Sequence, residues 1–331
     1  MGGKLQKNFQ GWEPERGEPK FCRPSKGGTN PTRHYEKEMN QSKNDAFRAE
    51  YEAIAETMNE KGKRLLLAAQ EKGASSWLSA LPLRKRGYVL NKQEFRDALC
   101  LRYGWQIPNT PVHCGCGSDN SLDHILTCKK GGYVTLRHNV LRNTEARLLE
   151  RVCHDVRVEP GLIPTAEELV AGTAADGARL DVSARGVWNH YEKSFFDIKV
   201  THPNAPSHLG KSLERLYKES ENEKKRKYND RIVNIERASF TPLVFTTSGG
   251  MGKECHRFNK RLAEMIAVKQ KQPYAHVMAD IRTRLRFALL KATVVAVRGF
   301  RGYAAQTFGP DHVELDIPFE LIPQEPAYEA Y

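Results

Sequence analysis

The chain has 331 residues and a mass of 37.6 kDa, which suits about two domains or one domain with appendages. Its 52 Lys and Arg outnumber its 40 Asp and Glu, so the net charge is +12 and the pI is near 9.3. No apolar run approaches the ~18–20 residues of a membrane-spanning helix, and the first ten residues lack the apolar stretch of a secretory signal. This excludes a membrane protein, and we expect a soluble intracellular protein whose partner is a polyanion such as nucleic acid.

The first third of the chain divides by composition into three segments. Residues 1–41 are rich in Gly, Pro, Asn and Lys, and they predict a disordered segment because they cannot bury enough apolar surface. Residues 42–107 show helical spacing and are interpreted as a helical remnant or linker. Residues 108–133 are loop-like and contain a cluster of cysteines, which predicts a small zinc knuckle.

From residue 134 onward the pattern alternates between helical and strand spacing. The predicted elements are a helix over 138–152, strands over 156–158, 178–184 and 194–200, a helix over 209–228, a strand over 241–247, and helices over 252–270 and 276–298. This order predicts an α/β domain over 134–303 with a mixed sheet flanked by helices. Residues 304–331 are predicted to be an acidic tail.

Three cysteines and one histidine lie within fifteen residues: Cys114, Cys116, His124 and Cys128. The C-x-C pair precedes a histidine and a cysteine that are one helical turn apart. Four sulfur and nitrogen ligands suit the tetrahedral geometry of structural zinc, and Asp123 is a candidate to orient the histidine. A redox-active dithiol with a chance histidine is the alternative.

Two aspartates and a lysine interrupt strands that are otherwise apolar. Alternation along a strand puts Asp197 and Lys199 on one face, and the hairpin-like spacing places Asp181 on the neighbouring strand. Charges in such strands are costly without a reason, and metal-dependent phosphodiester cleavage supplies one. Two carboxylates would bind magnesium or manganese, and the lysine would assist the attacking water. A cross-strand salt bridge is the alternative.

The pattern Asp181…Asp197-x-Lys199 resembles the signature of PD-(D/E)XK nucleases. The cysteine-histidine cluster ahead of it, followed by Arg137-His138 at the start of a helix, is similar to the restriction-like endonuclease region of early-branching non-LTR (LINE-type) retrotransposon proteins. The resemblance implies a restriction-endonuclease-like fold and a metal-dependent DNA endonuclease. It also implies that the chain is a retroelement fragment or a host protein derived from one.

The resemblance covers residues 108–265 and implies two further catalytic residues. Lys225 and Tyr228 stand at the K-x-x-Y spacing that the family has on the helix after the second aspartate. Both Lys199 and Lys225 are therefore candidates for the catalytic lysine. The chain departs from the family pattern in two places, with Leu180 for the proline of the first motif and Asp197 for the commoner glutamate.

Several other charged residues are candidates for the metal site or for phosphate contacts. Three glutamates, Glu145, Glu150 and Glu159, are candidate metal ligands, and solvated positions are the alternative for the first two. Residues predicted to contact nucleic acid are Arg137, His138, Lys224, Arg226, Arg282, Arg284 and Arg286. A helix that buries its apolar face and carries basic residues only at the rim is the alternative for the last three.

We therefore expect a metal-dependent DNA endonuclease with structural zinc and catalytic magnesium or manganese. RNA and an RNA–DNA hybrid are the other open substrates, the nucleus is favoured over the cytoplasm, and neither a membrane partner nor a small-molecule cofactor is expected. A catalytically inactive, zinc-containing nucleic-acid-binding module of retrotransposon origin is the alternative function.

Overall fold

The computed structural model describes residues 31–170 and 178–299. The helices are α1 (Pro31–Glu56), α2 (Glu60–Gln70), α3 (Ser76–Ser79), α4 (Lys92–Tyr103), α5 (Leu122–Thr127), α6 (Tyr133–Glu150), α7 (Ala166–Val170), α8 (Leu213–Asn234), α9 (Lys253–Gln270) and α10 (Tyr274–Arg298). The strands are β1 (His154–Val158), β2 (Val182–Arg185), β3 (Lys193–Thr201) and β4 (Ser239–Thr246). Each described helix is too short or too polar to span a lipid bilayer. The predicted acidic tail lies outside the described residues.

Helix α1 belongs to a compact unit that ends at Glu56, and the second unit follows it. Local side-chain pairs one turn apart stabilise this polar helix, for example Gln41 with Asp45 at 3.0 Å. The prediction of disorder over 1–41 is wrong for residues 31–41, which form the start of α1. Residues 1–30 lie outside the described residues.

The second unit is built around a four-stranded sheet with the order β1-β2-β3-β4. The first three strands pair antiparallel as a meander, and β4 pairs parallel with β3 after the crossover helix α8. Pro242 is tolerated in β4 because β4 is an edge strand of the described sheet. The order of elements predicted from residue 134 onward is confirmed, and the short α7 is an addition.

The side chains of β3 divide between two hydrophobic clusters. Phe196 and Ile198 enter the main core, which is completed by α6, α9 and α10. Phe195 packs instead with residues of α8 and β4 in a second cluster. Because side chains alternate along a strand, Asp197 and Lys199 lie on the same side as Phe195. The charged residues of β3 therefore face α8 rather than the main core.

Helices α3 and α4 and the segment between them pack on α10. Tyr88 stacks on Phe287 with ring centroids 4.8 Å apart, inside a cluster of buried apolar residues. Arg298 of α10 makes two hydrogen bonds to the fully buried carboxylate of Asp97 in α4. Residues 57–107, predicted as a remnant or linker, are therefore a packed part of the second unit.

Candidate active site and metal centre

The four predicted zinc ligands converge. The ligand atoms of Cys114, Cys116, His124 and Cys128 all lie within 4.8 Å of one another. The Sγ atoms of Cys114 and Cys128 are 3.8 Å apart, and Cys116 Sγ is 3.2 Å from His124 Nε2. Zinc forms bonds of ~2.0–2.3 Å to such donors in a tetrahedron, so these separations suit it. The cluster can therefore hold a metal such as zinc.

Two local structures bring these ligands together. Gly117 ends the first turn with a φ of +91°, and its N–H donates to the Cys114 carbonyl at 2.8 Å. Ser121 caps α5, which then presents the histidine and the third cysteine on one face. Hydrogen bonds from Ser118 lower the pKa of the Cys116 thiol to about 6, which favours the thiolate form that binds metals.

Two side chains join the Cys/His cluster to the rest of the unit. The Asp123 carboxylate lies 2.9 Å from His202 Nε2 and 2.5 Å from Lys61 Nζ, so it anchors α5 to the loop after β3 instead of orienting the metal-binding histidine. Arg137 is 2% exposed and donates from Nη2 to the Leu126 carbonyl at 2.9 Å. Its prediction as a nucleic-acid contact is wrong, because the guanidinium is buried against α5.

Asp181 directly precedes β2 and lies opposite Asp197 of β3. Val182 pairs with Phe196 in the register of β2 and β3, so one further step places Asp181 beside Asp197. Asp181 Oδ2 also accepts a hydrogen bond from the Ile198 N–H at 2.5 Å, which holds the carboxylate against β3. The tertiary structure therefore brings the two predicted carboxylates together.

Two basic side chains complete this acidic pair. His138 Nε2 of α6 lies 2.9 Å from Asp181 Oδ1, and Lys224 Nζ of α8 lies 2.7 Å from Asp197 Oδ2. Burial and the charge of Asp181 raise the pKa of Asp197. Burial by itself would lower the pKa of Lys224. The neighbouring carboxylates have the larger effect, so the pKa of the lysine is raised. The site is a partly buried cluster of two carboxylates, one lysine and one histidine, in which Asp197 is the buried member.

The two lysines predicted as catalytic have other partners. Lys199 Nζ lies 2.7 Å from Glu223 Oε2, and Lys225 pairs with Glu254 of α9. The lysine on Asp197 is Lys224, which the sequence assigned to nucleic-acid contact. Consecutive helical residues point about 100° apart, so one position decides the partner. The packing of α8 against β3 decides which lysine faces Asp197, and the local sequence carries no signal of that packing.

Tyr228 and Arg226 occupy different sides of α8. Tyr228 is 9% exposed, packs 5.7 Å from the Phe240 ring and places its own ring 5.7 Å from Lys224 Nζ. It therefore supports that lysine through packing and a cation–π contact. Arg226 is exposed and remains a candidate for contact with a polyanion.

The three candidate glutamates have three different environments. Glu145 is fully buried beside Asn259, and burial raises its pKa to about 8, which favours the neutral form of the carboxyl group. Glu150 is exposed, as a solvated helix residue should be. Glu159 pairs with an arginine of α6, and its backbone N–H donates to the Asp181 carbonyl at 2.9 Å. Only Glu159 among these three adjoins the acidic pair.

The arginines of α10 are mostly structural. Arg284 is 1% exposed and pairs with an aspartate one turn earlier, and Arg286 is 7% exposed and donates from Nε to the Ala74 carbonyl at 2.9 Å. The prediction that they belong to an exposed basic patch for nucleic acid is wrong, because the helix turns both into the protein. Arg282 is half-buried and lines a groove of about 990 Å³ together with Lys260. It remains a candidate for phosphate contact.

In comparisons with known proteins, no family model matches this chain and no curated protein matches it significantly. The interpretation of function therefore depends on the geometry of the acidic pair and of the Cys/His cluster. Both are formed by residues that the sequence had singled out.

Proposed function

We propose that this protein is a metal-dependent DNA endonuclease with a restriction-endonuclease-like fold. The observation that carries the proposal is the strand register that sets Asp181 beside Asp197, with Lys224 contacting the second carboxylate. The surrounding topology supports it: a helix, an antiparallel meander, a crossover helix and a parallel strand place Asp197 on β3 and Asp181 directly before the neighbouring β2.

The two carboxylates have the chemistry that magnesium or manganese requires. Their oxygens are hard ligands, and the charge of Asp181 raises the pKa of its partner because the two groups repel each other. A divalent cation bound between Asp181 and Asp197 would relieve that repulsion. When bound, such an ion supplies activation of water and stabilisation of the negative charge that develops on phosphate.

The protein's own residues position and neutralise the reacting groups. The Ile198 N–H and His138 fix both oxygens of Asp181, so this carboxylate has one orientation. Lys224 stays protonated beside Asp197 and is available to stabilise negative charge on the phosphate in the transition state. Hydrolysis then adds water across one phosphodiester P–O bond, and the leaving oxygen takes up a proton.

Zinc in the Cys/His cluster would have a structural role in this proposal. Cys114, Cys116, His124 and Cys128 supply four protein ligands, and a tetrahedral site that is filled by protein has no open position for substrate. The succession of zinc knuckle and nuclease also supports an origin from a non-LTR retrotransposon protein, with the nucleus as the place of action.

The test is a cleavage assay of the full-length, zinc-loaded protein on duplex, single-stranded and forked DNA. Magnesium, manganese and EDTA are compared for the wild type, Asp181→Asn and Asp197→Asn. We expect cleavage only with metal and a loss of at least about 100-fold in both variants, because each removes a carboxylate ligand. Asp155→Asn is the matched control, since Asp155 is exposed on β1 and has a positive φ that asparagine tolerates.

Cleavage that persists in Asp197→Asn would refute this assignment of the site. A well-folded wild type that cleaves no substrate would favour a non-catalytic nucleic-acid-binding module. The ion pair of Asp197 with Lys224 and the hydrogen bond between Asp181 and His138 favour that second candidate, because they satisfy the carboxylates without a metal. The module predicts salt-dependent DNA binding that survives Asp181→Asn.

A further inference from the structure

A cavity lies where α2, α4 and α10 meet the loops that follow β3 and β4. About 50 Å³ of it is open to water-sized molecules, which is room for about three to five waters at ~10–15 Å³ each. Its polar lining consists mainly of Arg64, Arg102, Arg286, His202, Asn204 and Thr247. We call it the arginine cavity, and its residues belong to neither the acidic pair nor the Cys/His cluster.

Two guanidinium groups in the arginine cavity have unused donors. Arg286 Nε donates to the Ala74 carbonyl and Arg102 Nη1 to the Ser75 hydroxyl at 2.7 Å, so adjacent residues hold both groups close together. Within the described residues, Arg286 Nη1 and Arg102 Nε have no hydrogen-bond partner although both atoms are buried. Burial and the charge of Arg102 lower the pKa of Arg286 to about 9.

Among the residues that the structure describes, no acidic side chain lines the arginine cavity to compensate its positive charge. None of the sixteen described residues that line it is acidic, and the terminal nitrogens of Arg64 donate to the carbonyls of His208 and Lys211 rather than to carboxylates. Arg284, two residues before Arg286 on α10, is equally buried but has Asp280 as its partner. A buried charge without a partner is strongly destabilising, so an anion bound in the arginine cavity would stabilise it.

The turn after β4 gives Arg286 its position. Gly249 has a φ of +96°, and a Cβ there would lie 2.6 Å from Arg286 Cδ and 3.2 Å from its Nη1. Glycine therefore permits both the turn and the close approach of the guanidinium. The backbone of this turn therefore packs directly against the guanidinium group of Arg286.

We propose that the arginine cavity is a binding site for a small tetrahedral oxyanion, phosphate. Planar guanidinium groups match the oxygens of phosphate with paired hydrogen bonds, and the cavity has room for one such ion but not for a nucleotide. The phosphate comes either from the free inorganic ion or from the terminal phosphate of a nucleic-acid strand. This site is independent of the proposed nuclease activity.

The experiment measures phosphate binding by the full-length, zinc-loaded protein by titration calorimetry at constant ionic strength, with chloride as the reference anion. Arg102→Gln and Arg286→Met are compared with Arg84→Gln, which removes the same charge from an exposed position outside the cavity. We expect phosphate affinity to fall at least tenfold in both cavity variants and to stay within about twofold in Arg84→Gln. Arg102 is only partly buried, so its variant tests the site even where Arg286→Met fails to fold.

Absence of phosphate binding by the wild type, or equal affinity in Arg102→Gln and Arg84→Gln, would overturn the proposal. Oligonucleotides with and without a 5′-phosphate then distinguish the two sources. Tighter binding of the phosphorylated strand that is lost in Arg102→Gln supports a terminal phosphate. Equal binding of the two strands, together with tight binding of inorganic phosphate, supports the free ion. None of these readouts requires DNA cleavage.

Discussion

Lys224 and Lys225 are neighbours in the sequence but have different ionic partners. Lys224 contacts Asp197 on the sheet, whereas Lys225 contacts Glu254 on α9. The family resemblance selected Lys225 through its spacing to Tyr228. The residue that contacts the acidic pair is Lys224, one position earlier. At the scale of single residues, the direction of a side chain on α8 therefore decides which lysine faces the acidic pair.

This difference gives a direct test of the lysine assignment. Lys224→Met removes the charge beside Asp197, so we expect metal-dependent cleavage to fall by about 10–1,000-fold. Lys225→Met is the matched control on the same helix, and we expect it to retain cleavage within about threefold. Rates are measured under single-turnover conditions on the best DNA substrate. The reverse ranking of the two variants would return the catalytic role to Lys225.

Helices α6 and α9 meet around a buried polar pair. Glu145 of α6 accepts a hydrogen bond from Asn259 of α9 at 3.4 Å, and burial raises the pKa of this carboxyl group to about 8 from an ordinary 4.5. A carboxyl group whose pKa is higher in the folded state than in the unfolded state stabilises the fold fully at a pH below its unfolded-state pKa. That stabilisation is lost as the pH rises through the folded-state pKa. This helix interface should therefore weaken between pH 5 and pH 8.

Replacing Glu145 tests this property of the interface. Glu145→Gln keeps the shape but cannot ionise, so its free energy of unfolding relative to wild type should rise by about 3 kcal/mol from pH 5 to pH 8. The measurement is denaturant unfolding at both pH values with zinc present. Glu150→Gln, exposed on the same helix, is the control and should show no such change. A pH-independent difference for Glu145→Gln would show that the buried carboxyl group is ionised throughout.

At the scale of the whole molecule, the Cys/His cluster is linked to distant elements. Asp123 reaches His202 after β3 and Lys61 in α2, and Arg137 joins α6 to the end of α5. A metal that fixes α5 therefore also fixes contacts to the sheet and to the helices before it. The segment that contains the Cys/His cluster is therefore packed into the second unit through these contacts.

Loss of the metal should accordingly affect the entire second unit. Cys128→Ser removes a ligand, so we expect the protein to bind less than one zinc per chain and to unfold at least about 10 °C lower. Metal content by mass spectrometry and thermal unfolding by circular dichroism provide the two readouts. Cys153→Ser, a buried cysteine outside the cluster, is the control and should bind zinc as the wild type does. Full zinc content in Cys128→Ser would contradict the assigned ligand set.

The local features of this protein could be predicted from its sequence. The four Cys/His ligands lie within fifteen residues, so chain connectivity alone keeps them close together. The order of helices and strands from residue 134 onward follows from hydrophobic periodicity, since each element shows its period within its own residues. The alternation in β3 likewise places Asp197 and Lys199 on one side of the sheet.

Features that depend on how elements face one another were decided by the tertiary structure. A helix turns about 100° per residue, so the sequence could not say that Lys224 faces Asp197 or that Arg284 and Arg286 face inward. Basic residues on α10 resemble a nucleic-acid surface in the sequence, but Arg284 pairs with Asp280 and Arg286 donates to the Ala74 carbonyl inside the protein. Burial is a property of the neighbours that a residue acquires, and those neighbours lie about 200 residues away in the chain.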